Sequence, residues 1–252
     1  MKTYDVLVIG AGHAGVEAAV ASDRIGAKTG LISFKKSDLG VMSCNPAMGG
    51  LGKGHLIREI DAMGGVIGLA SDHSGIQFRM LNRTRGAAVQ GPRAQIDRDL
   101  YKNNMQEIIK NSGVDLVEGE VKNIISEKKS GTESIVGVET STVGNLYCKK
   151  LIITTGTFLS GVIYRGREKW HAGRLNARPS FDLAKFFKNK KYQTYRLKTG
   201  TPPRLRADSI NFNKCIFQEG DKKPVPFSFL TKSITSKQFP CFITHSNQNT
   251  HK

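Results

Sequence analysis

Tyr4-Asp5-Val6-Leu7-Val8-Ile9-Gly10-Ala11-Gly12-His13-Ala14-Gly15 (YDVLVIGAGHAG) decides the fold. Its first half is a short, apolar, β-branched run, the pattern of a parallel-sheet strand covered on both faces. Gly10 to Gly15 then spell G-x-G-x-x-G. Ala18, Ala19, Ala21 and Ile25 follow at helical spacing, Gly26 ends the run, and Thr29-Gly30-Leu31-Ile32-Ser33 supplies a second strand. A strand, glycine turn, helix and strand in that order form a dinucleotide-binding unit. Gly10 permits the tight turn, Gly12 lets main chain approach a pyrophosphate, and Gly15 brings helix and strand together. The helix N-terminus offers N–H groups and a partial positive charge to the phosphates. Gly15 followed by Ala19 favours the flavin version. The acidic residue expected at the end of the second strand to hold a ribose is absent, because Ile32-Ser33-Phe34-Lys35 stands there, which leaves Ser33 as the candidate. An ordinary strand-to-helix turn with no ligand is the bland alternative.

The remaining elements fit the same architecture. Ala94 to Lys110 has helical spacing of Ile96, Leu100, Met105 and Ile108, and Val114-Asp115-Leu116-Val117 reads as the next strand. Val121 to Ser126, Ser134 to Thr142 and Leu146 to Lys149, broken by Ser130-Gly131 and Gly144-Asn145, predict a three-stranded antiparallel meander. Leu151 to Thr157 is expected as a separate buried strand, ending at a second close approach to the dinucleotide, and Phe181 to Lys188 as a helix. The fold class is therefore α/β, a Rossmann-like FAD-binding two-dinucleotide-domain fold with a β-meander. The expected division is residues 1–195 for FAD binding and residues 196–252 for the start of a second, β-rich subdomain.

Val41 to His55, VMSCNPAMGGLGKGH, carries the second signal. Gly52-Lys53 invites a phosphate-loop interpretation, but Ala47 stands where the first glycine is required and Gly54 where Ser or Thr must bind magnesium. The glycines instead suit main chain passing close to a flat ligand. Pro46 restricts Asn45 and holds Cys44 in place. Lys53 and a helix beginning near His55 are candidate sources of thiol activation. Cys44 is then either a thiol acting beside an isoalloxazine or a small buried hydrophobe.

Lys+Arg 38 against Asp+Glu 21 gives a net charge of +17, and the excess lies late: residues 1–120 hold 14 basic and 13 acidic side chains, residues 121–252 hold 24 and 8. Clustered cations favour an anionic partner such as RNA, with solvated lysine runs as the alternative. Arg79, Arg83, Arg85, Arg93 and Arg98, then Arg165, Arg167, Arg174 and Arg178, suit phosphate through their planar forks. Cys44, Cys148, Cys215 and Cys241 form no C-x-x-C pair, which points to a reduced, cytoplasmic setting. His13, His55 and His171 are too scattered to argue a metal, and no apolar run approaches membrane-spanning length.

GAGHAG, MSCNPAMGGLGKGHLIREIDAMGG, GIQFRMLN, RAQIDRDLY, GTFLSG and RLKTGTPPR, in this order, resemble one family: the tRNA uridine 5-carboxymethylaminomethyl modification flavoproteins, also called glucose-inhibited division protein A. The resemblance runs to Pro240-Cys241-Phe242-Ile243-Thr244-His245. It implies FAD held by Gly10, Ala11, Gly12, His13, Ala14 and Gly15, with further contacts near Val121 and Ser180, and reduction by NADH. It also implies a homodimer working with a tRNA-modification GTPase to add a carboxymethylaminomethyl or aminomethyl group at C5 of the wobble uridine of tRNA. The one-carbon unit would come from methylene-tetrahydrofolate. Cys44 matches one of two cysteines to which the family ascribes catalytic importance. Family members are much longer. The second cysteine, the later NADH-associated segment, the last strand and helix of the flavin fold and the C-terminal helical region all fall beyond the matched part. The chain is thus expected to be a split, truncated or remnant form. The competing classes are a small-molecule flavin oxidoreductase of the disulfide-reductase type, which requires two closely spaced cysteines, and a non-catalytic RNA-binding scaffold.

Overall fold

A computed structural model describes residues 2–251. In chain order it begins with β1 (Lys2–Ile9), α1 (His13–Arg24), β2 (Thr29–Ser33), β3 (Ala47–Gly49), α2 (Lys53–Ala62), α3 (Ile67–Ser74), β4 (Gly75–Leu81) and β5 (Gly91–Ile96). There follow α4 (Arg98–Lys110), β6 (Asp115–Glu118), β7 (Val121–Lys129), β8 (Thr132–Thr140) and β9 (Gly144–Ile153). The last elements are β10 (Val162–Arg165), β11 (Glu168–His171), α5 (Asp182–Asn189), β12 (Ile216–Gln218) and β13 (Cys241–Ile243). The chain divides into two compact units, one from the segment up to Ser43 with Lys102–Lys198, the other from Cys44–Tyr101 with the segment from Thr199 onward.

The first unit is built on a six-stranded sheet of order β6-β2-β1-β9-β8-β7. β1 lies parallel to β2, with Val8 opposite Leu31, and parallel to β9, with Leu7 opposite Leu151. β6 continues the parallel half beside β2. Tyr4, Leu7, Val8, Ile9, Leu31 and Ile32 are buried, as a doubly covered sheet requires. At roughly 1.5–3 kcal/mol per large apolar side chain, these positions dominate the stability of the layer. α1 packs through Gly15, Val16 and Ala19, whereas Ile25, grouped with that stripe in the sequence, follows the helix as its C-cap and is exposed.

The meander β7-β8-β9 is antiparallel as expected. The strand expected to stand by itself from Leu151 to Thr157 is not separate: β9 runs unbroken from the meander into the parallel sheet. Its first half pairs with β8 on one side, and almost its whole length pairs with β1 on the other. Lys149-Lys150 is therefore a solvent-facing stretch of one strand.

The second unit holds an antiparallel sheet of order β3-β5-β4 and the β12–β13 hairpin. Here the helix expected from Ala94 to Lys110 is corrected. Ala94 to Ile96 belong to β5, and the helix starts at Arg98. The Asp97 carboxylate accepts the N–H groups of Asp99 (2.9 Å) and Leu100 (3.0 Å), so it caps the helix and sets the boundary. Two buried carboxylates then pin an irregular segment. Asp72 accepts the N–H groups of Phe227 (2.8 Å) and Ser228 (2.9 Å), and Asp61 accepts that of Phe229 (2.8 Å). Buried backbone donors need such partners when no strand supplies them.

Candidate functional site

The glycine turn at the end of β1 is fastened from the neighbouring strand. The Thr154 hydroxyl, just beyond β9, lies 2.9 Å from both the Ile9 and Gly10 carbonyl oxygens. Gly10 has φ of +102°, and a Cβ there would lie 2.5 Å from the Thr154 carbonyl oxygen. A Cβ on Gly15 would lie 1.7 Å from the Gly10 carbonyl oxygen. These two glycines are consumed by the fold itself.

Gly12 differs. It is the N-cap of α1 with φ −79°, and a Cβ built on it would meet nothing within 4 Å. Protein packing does not explain a glycine there, whereas a ligand that needs the space above the helix N-terminus does. The N-cap of α1 is a glycine, which has no side chain to cap the helix, and the first turn of a helix leaves N–H groups without intrahelical partners. The turn thus suits a diphosphate in shape and polarity.

The other expected cofactor contacts lie in the same unit. Ala11 is buried, and its carbonyl accepts the Gly40 N–H at 3.0 Å; His13 and Ala14 begin α1. Val121 opens β7 and is buried, opposite Thr140. Ser180 is buried and bridges to Leu159, its N–H donating to the Phe158 carbonyl at 2.8 Å. Ser33, the candidate for the ribose, is buried at the end of β2. Beside it in register stands Glu118, whose carboxylate accepts the Lys36 N–H at 2.9 Å. An acid thus stands on β6 beside the end of β2, where a search along β2 alone could not find it. Thr154 was also missed as an individual residue; its only signal is a polar side chain ending an apolar strand.

Cys44 opens the second unit and is half-buried. Its carbonyl accepts a hydrogen bond from the Arg98 guanidinium. Lys53 is the first residue of α2, and its ammonium lies 3.4 Å from the Ala47 carbonyl oxygen. Burial lowers the Lys53 pKa, opposed by attraction to Cys44. Arg98 is lowered likewise by burial and by Arg204, again opposed by Cys44. Lys53 and Arg98 are thus the cations in the electrostatic surroundings of Cys44. The glycines beside it keep main chain close: Gly49 has φ of +76°, and a Cβ there would lie 2.0 Å from the Pro92 carbonyl oxygen. The helix expected near His55 begins at Lys53.

Among the described residues no helix is long and apolar enough to cross a membrane. The family model described as glucose inhibited division protein A matches residues 5–252. The tRNA uridine 5-carboxymethylaminomethyl modification enzyme MnmG of Campylobacter fetus subsp. fetus is 48% identical over 249 residues, covering 99% of this chain and 40% of that protein. The enzyme of the same name from Thermodesulfovibrio yellowstonii is 45% identical, covering 100% and 40%. Among solved structures, Aquifex aeolicus GidA superposes with a TM-score of 0.88 at 42% identity, over 96% of this chain and 41% of that one. The GidA-related protein of Thermus thermophilus, 17% identical with a TM-score of 0.53 over 74% of this chain and 68% of that one, shares the fold. The chain spans about 40% of the length of the curated relatives it matches.

Proposed function

Because the chain belongs to the glucose-inhibited division protein A family, we propose that it is the flavin-binding portion of an enzyme that modifies C5 of a tRNA wobble uridine to the carboxymethylaminomethyl form. The observation that carries this is Gly12, a glycine which packing leaves unexplained and a diphosphate explains. Gly10, Ala11, Gly12, His13, Ala14 and Gly15 would hold the FAD diphosphate, with Val121 and Ser180 further along the cofactor and Glu118 beside Ser33 at the ribose end. When bound, FAD supplies the capacity to carry electrons and a one-carbon unit.

The chain's own residues supply orientation. The turn fixed by Thr154 holds main-chain donors in place before ligand arrives, which lowers the ordering cost of binding. Cys44 is the candidate reactive group. A positioned thiol can add to an electron-poor carbon or transfer a proton, and Lys53 and Arg98 are the cations in its electrostatic surroundings.

NADH as reductant, methylene-tetrahydrofolate as one-carbon donor, a GTPase partner, a homodimer and a cytoplasmic location complete the proposal by family membership. So does the division into residues 1–195 for FAD and 196–252 as the start of an inserted subdomain. The activity belongs to the full length seen in the relatives, whether the remainder lies in the same polypeptide or in another. Pairing with such a remainder is favoured by β9, whose residues 150–153 pair with β1 on one side and with no strand on the other among the described residues. A bare strand edge invites another strand.

Analysis of tRNA nucleosides from cells lacking this gene tests the proposal. Loss of the carboxymethylaminomethyl wobble uridines, restored by the wild-type gene and not by Cys44→Ser, is expected. Unchanged nucleosides would overturn it.

A further inference from the structure

The second unit contains a cavity of about 670 Å3 between the β4–β5 pair and the β12–β13 hairpin. Antiparallel register sets Arg79 opposite Arg93 and Gln77 opposite Gln95. Residues two apart on a strand share a face, and all four of these side chains line the cavity. Like charges directly opposite each other destabilise a sheet, so the arginine pair is a cost the fold bears.

Nothing among the described residues neutralises that pair. Among the described residues no carboxylate lines the cavity. Arg83, at the same cavity, is ion-paired to Asp221 at 2.6 Å, but neither Arg79 nor Arg93 has a carboxylate partner among the described residues. Among the described residues the Arg79 guanidinium donates only to the Glu219 carbonyl, at 2.6 Å. The wall around them is fixed: the Gln77 amide donates to the Gln218 carbonyl at 2.9 Å and accepts from the Cys241 thiol at 3.0 Å. The Gln95 side-chain amide makes no hydrogen bond among the described residues, which leaves a donor and an acceptor beside the two guanidiniums.

We propose that this face of β4 and β5 binds a phosphate group, carried by a small phosphorylated molecule or by a nucleic-acid backbone. Two uncompensated guanidiniums match the charge of a phosphate better than that of a single carboxylate, and their forks match its oxygens in pairs. The cavity lies within the size range of sites for nucleotide-sized ligands, roughly 300–1,000 Å3. The proposal uses residues other than the glycine turn and stands whether or not that turn holds FAD.

The test is thermal unfolding of the wild-type chain, Arg93→Gln and Arg79→Gln in increasing inorganic phosphate, with sodium acetate at matched ionic strength. Wild type is expected to show a saturable rise in Tm with phosphate and none with acetate. In each variant the phosphate concentration for half the rise should increase at least about tenfold, the equivalent of one lost charge-assisted hydrogen bond. Ligand-free Tm should stay level or rise in Arg93→Gln, because the like-charge contact is relieved, whereas in Arg79→Gln the lost bond to the Glu219 carbonyl offsets that gain. AMP and a short single-stranded RNA distinguish the source: half-saturation at lower phosphate-equivalent concentration with RNA assigns a nucleic-acid backbone, and equal or better saturation with AMP assigns a small molecule. Equal rises with phosphate and acetate would overturn the proposal. So would variants that lose ligand-free stability while keeping the wild-type phosphate response, which would make the arginines structural.

Discussion

Substituting Gly12 and Gly15 separately by alanine distinguishes what the turn does for the fold from what it does for a ligand. A methyl on Gly15 would stand 1.7 Å from the Gly10 carbonyl oxygen and 2.8 Å from the Thr154 hydroxyl. Cβ atoms do not approach heavy atoms closer than 3.0 Å, so α1 or the turn must move by at least the 1.3 Å difference. The obstacle is backbone, and no rotamer change relieves it. Overpacking of this kind costs roughly 3 kcal/mol, at the upper end of its usual range. For a chain of this size that lowers Tm by about 6–12 °C. A methyl on Gly12 meets nothing within 4 Å and sits at φ −79°, which alanine adopts freely. Its weaker N-cap preference is offset by the smaller entropy of the unfolded chain, leaving a net change within about 1 kcal/mol, or about 4 °C. The same methyl fills the space assigned to the diphosphate, so FAD affinity should fall at least about tenfold, a loss of about 1.4 kcal/mol or more. Differential scanning calorimetry and flavin fluorescence titration on both variants give the two readouts. Wild-type FAD affinity in Gly12→Ala, or destabilisation of Gly12→Ala equal to that of Gly15→Ala, would refute the assignment of separate roles.

Three further outcomes are expected. Tyr4→Phe removes the 2.6 Å hydrogen bond from the Tyr4 hydroxyl to the Asp115 carboxylate; about 1.5 kcal/mol should be lost in urea unfolding at neutral pH, less than for a fully buried pair because Lys2 remains on that carboxylate. Burial raises the Asp72 carboxyl above its ordinary 3.8, against the lowering effect of the Phe227 and Ser228 N–H groups. The folded state then holds this proton more tightly than the unfolded state, so the contribution is full below pH 3.8 and declines as pH rises through the folded value. Asp72→Asn should abolish that part of the pH slope while costing about 1–3 kcal/mol, because an amide cannot accept both N–H groups; an unchanged slope assigns it to other groups. Burial also raises the Cys148 thiol, so under native conditions iodoacetamide should modify half-buried Cys44 before Cys148, as read by peptide mass spectrometry; the reverse order contradicts the burial.

What the sequence revealed divides along the range of the interactions involved. β1, the glycine turn, α1 and β2 were legible because local apolar pattern and glycine spacing specify them without help from distant residues. The meander was legible from Ser130-Gly131 and Gly144-Asn145. The continuity of β9 was not, because two consecutive lysines interrupt the apolar pattern until β1 supplies the pairing that holds the strand together. Between Ala94 and Lys110, Ile96 satisfies a strand's alternation with Ala94 and a helix's spacing with Leu100 at once. Asp97 carried the deciding cap signal, and the antiparallel partner β4 completes the strand assignment. The sheet β3-β5-β4 stayed hidden because β3 has three residues and depends on pairing with residues 93–95, far along the chain. At the candidate site, Gly10, Gly12, Gly15 and Cys44 were found through motif chemistry. Thr154 and Glu118 stand on neighbouring parts of the sheet, and only register brings them beside Gly10 and Ser33.

The central claim, that the turn after β1 cradles the diphosphate of a flavin dinucleotide, is tested most directly by titrating the purified chain with FAD and then with ADP while following flavin fluorescence. The account predicts one FAD per chain, displaced by ADP because both present the same diphosphate to the same main-chain donors. A chain that leaves FAD fluorescence unchanged, or a complex indifferent to excess ADP, would contradict it.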